Sequence, residues 1–234
     1  PDLKTTIITL LIILIPGSLI IEQPDLGTAL LVMSAGFFAL FFAGISWRWI
    51  VYAITLCLCA APLAWFLLHD YQRQRILTLF DPQQDPLGAG YHIIQATIAV
   101  GSGGIRGKGW LNGTQSHLEF LPERATDFIF AVYCEEFGFV GVIVLLAAYT
   151  LVIVRGLRIA LSAQDSFGRV LAASLTLTLF IYIFVNMGMV TGQLPVVGVP
   201  LPLVSYGGTS VVTILAGLGI LMSIQTHRRF IAHS

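Results

Sequence analysis

The chain has 234 residues, 56% of them hydrophobic and only 10% charged, with a formal net charge of zero. Soluble domains carry about 25% charged residues, so this composition excludes a chain whose whole surface meets water, and a mean hydropathy of +0.87 places lipid among its solvents. Neutrality also removes the electrostatic reason to expect a nucleic-acid partner.

Elements are predicted from apolar runs, because crossing a bilayer takes roughly 20 apolar residues. The chain opens on Pro1 and enters such a run almost at once, as a fragment without its N-terminal part does. Residues 5–21 are followed by Glu22-Gln23-Pro24-Asp25 and not by a small-residue cleavage site, which marks a span and not a secretory signal. Further runs follow at 26–45, 49–68, 128–154, 170–190 and 210–225. Each is expected to be helical, since lipid offers backbone amides no partner. The expected fold is an all-α, polytopic transmembrane helix bundle of about six spans: one partial transmembrane domain over 1–234, with one large loop at 69–127. Cys57, Cys59 and Cys134 lie inside apolar segments without metal-ligand or redox spacing, and the histidines form no ligand pair.

Basic residues in short loops orient such a bundle. Lys4, Arg48, the trio Arg155, Arg158 and Arg169, and His227 with Arg228 and Arg229 all fall on one side of a six-span chain, which is thereby assigned as cytoplasmic. The other side receives 22–25, 69–127 and 191–208.

The loop at 69–127 is too long for an idle connection. It starts with a basic cluster containing Arg73 and Arg75, then a turn-rich stretch at 81–88. Residues 91–100 read as a short amphipathic helix, lying either in the membrane interface or packed on the bundle. The glycine-rich stretch 101–110 fails the nucleotide P-loop pattern, having Ser102 and Gly109 where glycine and Ser or Thr are required. Two readings stay open for it: backbone amides with Arg106 and Lys108 holding an anionic group such as a diphosphate, or a solvated turn. Glu119, Glu123 and Asp127 follow at i, i+4 and i+8, with Pro122 interrupting any single helix through them. Thr126 is expected to cap the fourth span with Asp127 as its first residue. Asp127 is then either a stabilising anion at a helix N-terminus or a base. Glu135 and Glu136 lie two turns further in, a depth at which ionisable groups face the protein interior or a wet cavity. The stretch 191–208 is apolar but rich in Pro and Gly, so it is expected to re-enter the bundle near the large loop.

Taken together these residues resemble the SEDS family of cell-wall polymerases, over essentially the whole chain and in the family's motif order. The resemblance rests on Pro24-Asp25-Leu26-Gly27-Thr28, the stretch from Asp85 to His92, Gly101 to Trp110 and Gly113-Thr114-Gln115. It continues through Leu118 to Asp127, Glu135-Glu136-Phe137-Gly138, and Pro200-Leu201-Pro202 with Ser205-Tyr206-Gly207-Gly208. Gly107-Lys108-Gly109-Trp110 with Gly113-Thr114-Gln115 is closer to the elongation branch than to the division branch. Ala125 departs from the histidine expected in close relatives.

The resemblance implies a ten-helix fold of which this chain is the last six helices, in the bacterial inner membrane with the large loop outside. It implies a peptidoglycan glycosyltransferase that polymerises lipid II during cell elongation, working with a class B penicillin-binding protein. The family's essential aspartate falls on Asp127, the expected general base, and an acidic residue important in the family falls on Glu119; Glu123 joins them as the third catalytic candidate. Arg75, Arg106 and Lys108 are the candidates for neutralising the leaving diphosphate. Asp25, Gln193 and Ser205 are placed to line the same cavity, each with a plainer alternative: a helix cap for Asp25, turn hydrogen bonds for the other two. A divalent cation, Mg2+ or Mn2+, is the candidate cofactor, held with help from Glu119 or Glu123. Two other functions compete: a transporter that flips a lipid-linked precursor, and a membrane scaffold that activates a penicillin-binding protein.

Overall fold

The computed structural model describes residues 3–23, 25–68, 70–85, 88–114 and 123–226. Among the described residues all regular structure is helical: α1 (Leu3–Glu22), α2 (Leu26–Phe42), α3 (Trp47–Leu67), α4 (Asp70–Phe80), a 3-10 turn (Pro82–Gln84), α5 (Ala89–Ser102), α6 (Ile129–Ser162), α7 (Ser166–Val190) and α8 (Gly208–Thr226). Four of these, α1, α6, α7 and α8, are long and apolar enough to cross a membrane, and α2 and α3 contribute shorter apolar stretches at Gly27–Phe42 and Trp47–Ala60. Each of the six predicted spans is thus a helix, and the chain is an all-α membrane protein. The fourth runs to Ser162, beyond the predicted 154.

α1 packs on α2, α2 on α7, and α7 on α6 and α8. The tightest core gathers at one end of the bundle, here called the loop end. Phe128, Met189, Val190 and Leu201 are fully buried there, with Ala96 and Ala99 of α5 beneath them. The amphipathic segment of the loop is therefore a helix packed on the bundle, the second of its two readings. Ile93, Ala96 and Ala99 point inward at helical spacing.

The basic cluster of the loop lies on α4, a helix that the apolar periodicity does not announce. Arg73 explains its placement. Its Nε donates to the Trp65 carbonyl at 2.9 Å and its Nη2 to that of Phe66 at 2.8 Å, which satisfies two carbonyls left open at the end of α3.

α6 is broken. Gly138 has φ 63 and ψ −163, which no continuous helix allows. Beyond the break the helix resumes, and the glycine-rich loop docks into the gap. The Phe139 amide donates to Gly104 O at 2.9 Å and the Val140 amide to Ile105 O at 3.1 Å. In return the Lys108 and Gly109 amides donate to Glu135 O and Glu136 O, both at 2.9 Å. Two helical bonds are thus exchanged for four bonds to the loop. The reading of this loop as a cradle of exposed amides is corrected accordingly: the Lys108 and Gly109 amides bond α6, and that of Gly107 bonds Gly103 O at 2.8 Å. Glycine is required at the junction because both Gly107 (φ 74) and Gly138 are left-handed, and a Cβ on either would enter the backbone of the other segment.

Gly138→Ala is expected to lower the thermal midpoint of the purified full-length protein. Left-handed strain alone costs about 1–3 kcal/mol, and the close approach adds to it. Gly219→Ala on α8, where a Cβ meets open space, is expected to be neutral or slightly stabilising. Equal midpoints for the two variants would show that the loop does not depend on the break.

Candidate active site

The acidic turn that precedes α6 carries two of the three catalytic candidates, Glu123 and Asp127. Glu123 has a left-handed backbone, φ 56, an uncommon conformation for a side-chain-bearing residue that is often found at functional turns. Its carbonyl accepts from the Thr126 amide at 3.0 Å and the Phe128 amide at 3.3 Å, closing the turn. Phe128, not Thr126, is the cap residue of α6, and it provides no side-chain cap. The Thr126 hydroxyl instead donates back to Glu123 O at 3.2 Å. The predicted cap is therefore displaced by two residues, and Asp127 sits just ahead of the helix.

Three consecutive carbonyls of this turn are held from outside it. The Tyr206 amide donates to Ala125 O at 2.8 Å, the Ser205 hydroxyl to Thr126 O at 2.6 Å, and Asn186 Nδ2 of α7 to Asp127 O at 2.9 Å. Asn186 Nδ2 also donates to Val199 O at 2.6 Å. Ser205 Oγ accepts from the Leu201 amide at 2.6 Å. The Pro- and Gly-rich stretch does re-enter the bundle, and Tyr149 of α6 pins it again by donating to Pro202 O at 2.7 Å.

With its backbone fixed, the half-buried Asp127 carboxyl faces other acids. Its pKa is pushed up from 3.8 to about 6. Burial is the main cause; the Glu123 carboxyl follows, repelling the charge and hydrogen-bonding the protonated form, and then the charge of Asp25. Asp25 also caps α2, accepting from the Thr28 amide at 3.0 Å, so its plainer role is realised while it also faces the site. A Cβ on Gly198 would lie 3.3 Å from Asp127 Oδ2, so the loop backbone runs directly beside the carboxylate. Gly198 also lines a cavity of about 340 Å³ between α2, α7 and α8, whose wall includes Thr28, Leu31, Tyr182, Thr209 and Ile214.

The other expected residues divide. Lys108 Nζ lies 2.7 Å from Glu135 Oε1, with Thr114 Oγ1 bonded to both at 2.7 and 3.0 Å. Glu135 is fully buried, so this cation answers an internal charge. Arg106 is exposed on the docked loop and Arg75 half-buried on α4; Gln193 is exposed, its amide donating to Gly188 O at 2.8 Å. Ser205 is buried and spends its hydroxyl on backbone. Glu119 lies outside the described residues. Among the described residues no three His, Cys, Asp or Glu side chains form a metal-ligand set, so Glu123, Asp127 and Asp25 do not fit the expected cation by themselves. Asn186 was not singled out in the sequence. Its signal is a polar amide inside an apolar span, a group that must find partners within the protein.

Two consequences are measurable. The raised Asp127 pKa means that the native state binds the proton more tightly than the unfolded chain. Stability then falls as pH rises from 3.8 to about 6 and stays lower above. Asp127→Asn is expected to raise the thermal midpoint at pH 7.5, with the gain shrinking as pH drops through 6; a gain that is absent or independent of pH contradicts the burial. Lys108→Met leaves the buried Glu135 carboxylate without its cation and is expected to cost on the order of 3 kcal/mol. Adding Glu135→Gln should recover most of that loss in a double-mutant cycle.

Residues 1–230 match the family model FTSW_RODA_SPOVE, described as cell cycle protein. The chain is 61% identical over its whole length to the peptidoglycan glycosyltransferase MrdB of Escherichia coli strain K12, and it spans 64% of that protein's length. It is 44% identical over 91% of its length to the probable peptidoglycan glycosyltransferase FtsW of Geobacter metallireducens, covering 56% of that protein. The fold matches a chain from a study of polymerization and crosslinking by a peptidoglycan synthase complex, with TM-score 0.79, 33% identity, and coverage of 97% of this chain and 64% of that one. It also matches the rod shape determining protein RodA of Thermus thermophilus, with TM-score 0.64, 28% identity, and coverage of 98% and 59%. The shared motif order, the helical membrane bundle and a family model that accounts for nearly the whole sequence place this chain in the FtsW, RodA and SpoVE family of cell cycle proteins, the SEDS proteins.

Proposed function

We propose that this chain carries the glycosyl-transfer site of a peptidoglycan glycosyltransferase that polymerises lipid II during cell elongation, in the bacterial inner membrane with the loop end outside. The observation that carries the reading is the Asp127 carboxylate: half-buried, its turn held from two other elements, beside Gly198 of the cavity between α2, α7 and α8, with its pKa near 6. A base with that pKa is largely ionised at neutral pH and retains more basicity than an ordinary carboxylate, which suits proton abstraction.

The acceptor sugar's hydroxyl attacks the anomeric carbon of the lipid-linked donor. The new C–O bond forms as the bond to the diphosphate breaks with inversion. Asp127 takes the hydroxyl proton, and undecaprenyl diphosphate leaves with the bonding electron pair. Neutralising that leaving group is the proposed role of Arg106, Arg75 and Lys108, the last of which also faces Glu135. Since the described acids form no ligand set, no step is assigned to a divalent cation; it stays a proposal to which Glu119 can contribute. A class B penicillin-binding protein is the proposed partner for crosslinking, in keeping with the synthase complex that the fold matches.

The test uses the full-length protein with its penicillin-binding partner, lipid II, and assays with and without Mg2+ or Mn2+. The unsubstituted protein is expected to make glycan chains, and Asp127→Asn to lose at least about 10²-fold in rate at equal expression and partner binding. Chains of equal length and yield from both would remove Asp127 as the base. No chains from either, under conditions where a known polymerase works, would favour transport or scaffolding.

A further inference from the structure

Asn186 is fully buried in α7. Both hydrogen bonds recorded for its Nδ2 go to main-chain carbonyls of different segments: Asp127 O, 59 residues earlier in the chain, and Val199 O, 13 residues later. The first belongs to the turn that carries the carboxylate. The second follows Gly198, whose Cα approaches that carboxylate closely enough that an added Cβ would stand 3.3 Å from Oδ2. One amide thus ties together the two backbones whose separation sets where the carboxylate lies. The neighbouring clamps, Ser205 on Thr126 and Tyr206 on Ala125, hold residues one and two positions before Asp127, while Asn186 holds Asp127 itself.

We propose that Asn186 is a positioning residue for glycosyl transfer: its side-chain amide fixes the Asp127 turn against the 198–200 loop and so sets the carboxylate's distance from the reacting hydroxyl. This rests on the reading of Asp127 as the base. Asn186 touches no reacting atom in this scheme. Displacing a base by about 1 Å can cost 10²-fold in turnover while leaving binding intact, so the signature is a fall in kcat with KM preserved.

The experiment compares full-length Asn186→Leu, which keeps the volume and removes the donors, with Asn186→Gln, which keeps an amide. Tyr149→Phe is the matched control, removing a buried donor to the same loop at Pro202, away from Asp127. A second readout needs no turnover: labelling of Asp127 by a hydrophobic carbodiimide, which attacks the protonated carboxyl, followed against pH by mass spectrometry. Among the described residues, Glu123 from the same turn and Asp25, the cap of α2, are the charged groups that raise Asp127. Loop residues 194–205 and the last two turns of α7 bring no charge, and His92 of α5 stacks one residue away on Phe128, its ring 5.9 Å distant.

Asn186→Leu is expected to lose about 10- to 100-fold in kcat with KM within about twofold. Asn186→Gln should recover part of the loss and Tyr149→Phe should stay within about twofold. The labelling midpoint, near 6 in the unsubstituted protein, should move down in Asn186→Leu as the carboxyl relaxes away from Glu123 and Asp25. The proposal is overturned if Asn186→Leu turns over within twofold of the parent. It is equally overturned if Asn186→Leu and Tyr149→Phe lose rate in proportion to lost thermal stability with the midpoint unmoved. Should Asn186→Leu not accumulate, Asn186→Gln is judged against Tyr149→Phe by the same criteria. If the unsubstituted protein makes no glycan, the functional reading falls and the midpoint alone decides the clamp: a shift supports it, an unmoved midpoint ends it.

Discussion

At Gly138 the amides of Phe139 and Val140 leave their helical partners and are taken up by carbonyls of the loop 103–109, which returns two amides to α6. In a hydrocarbon setting an unpaired backbone group costs several kcal/mol, so a helix can break there only if another segment meets every freed donor and acceptor. The exchange satisfies that condition. It also fixes the large loop to the bundle, setting α5 on one side of the broken helix and the acidic turn at its start. The Lys108–Glu135 pair, of which only the carboxylate is fully buried, lies on the same joint, one turn before the break.

The same accounting governs the active turn. A turn ahead of a helix leaves its own carbonyls outside the helical ladder, and those of 125, 126 and 127 each find a donor from the re-entrant loop or from α7. This is why the loop 193–207 is apolar but not helical: its irregular backbone and hydroxyls supply partners that a regular helix keeps for itself. The rigidity so obtained holds Asp127 against Glu123 and Asp25, where its ionised form is disfavoured. Such an arrangement weakens the fold at neutral pH and survives because several elements over-determine it, a pattern frequent at functional sites.

What could be read from the sequence follows from how far each signal reaches. Apolar runs report the solvent directly, and all six predicted spans are helices. Asp127 is a candidate through the family resemblance of the residues around it; its spacing alone leaves a stabilising helix anion and a base both open. Of the partners, Ser205 is legible as a candidate for turn hydrogen bonds and Asn186 is not, and the contacts of neither are. Ser205 and Asn186 act through hydrogen bonds to residues 79 and 59 positions away, and no local pattern encodes a contact of that range. α4 escaped notice because its short, polar sequence lacks an apolar stripe, though Arg73 caps α3 through it. The glycine-rich loop leaves two readings open for a related reason. Glycines that permit a left-handed turn beside an anion also permit one beside a helix backbone, and only the broken helix opposite tells the two apart.

Two carboxylates near the membrane boundary therefore have opposite meanings. Glu135 is fully buried but meets a lysine and a threonine at hydrogen-bond distance; its charge is answered within the protein, and its work is to hold the loop. Asp127 is less buried yet faces acids of its own sign, Glu123 and Asp25, and lies beside Gly198, which lines the cavity. Burial by itself does not identify the functional group. The distinction lies in whether the protein supplies the compensating charge, as it does for Glu135, or leaves the demand for a proton open, as it does for Asp127.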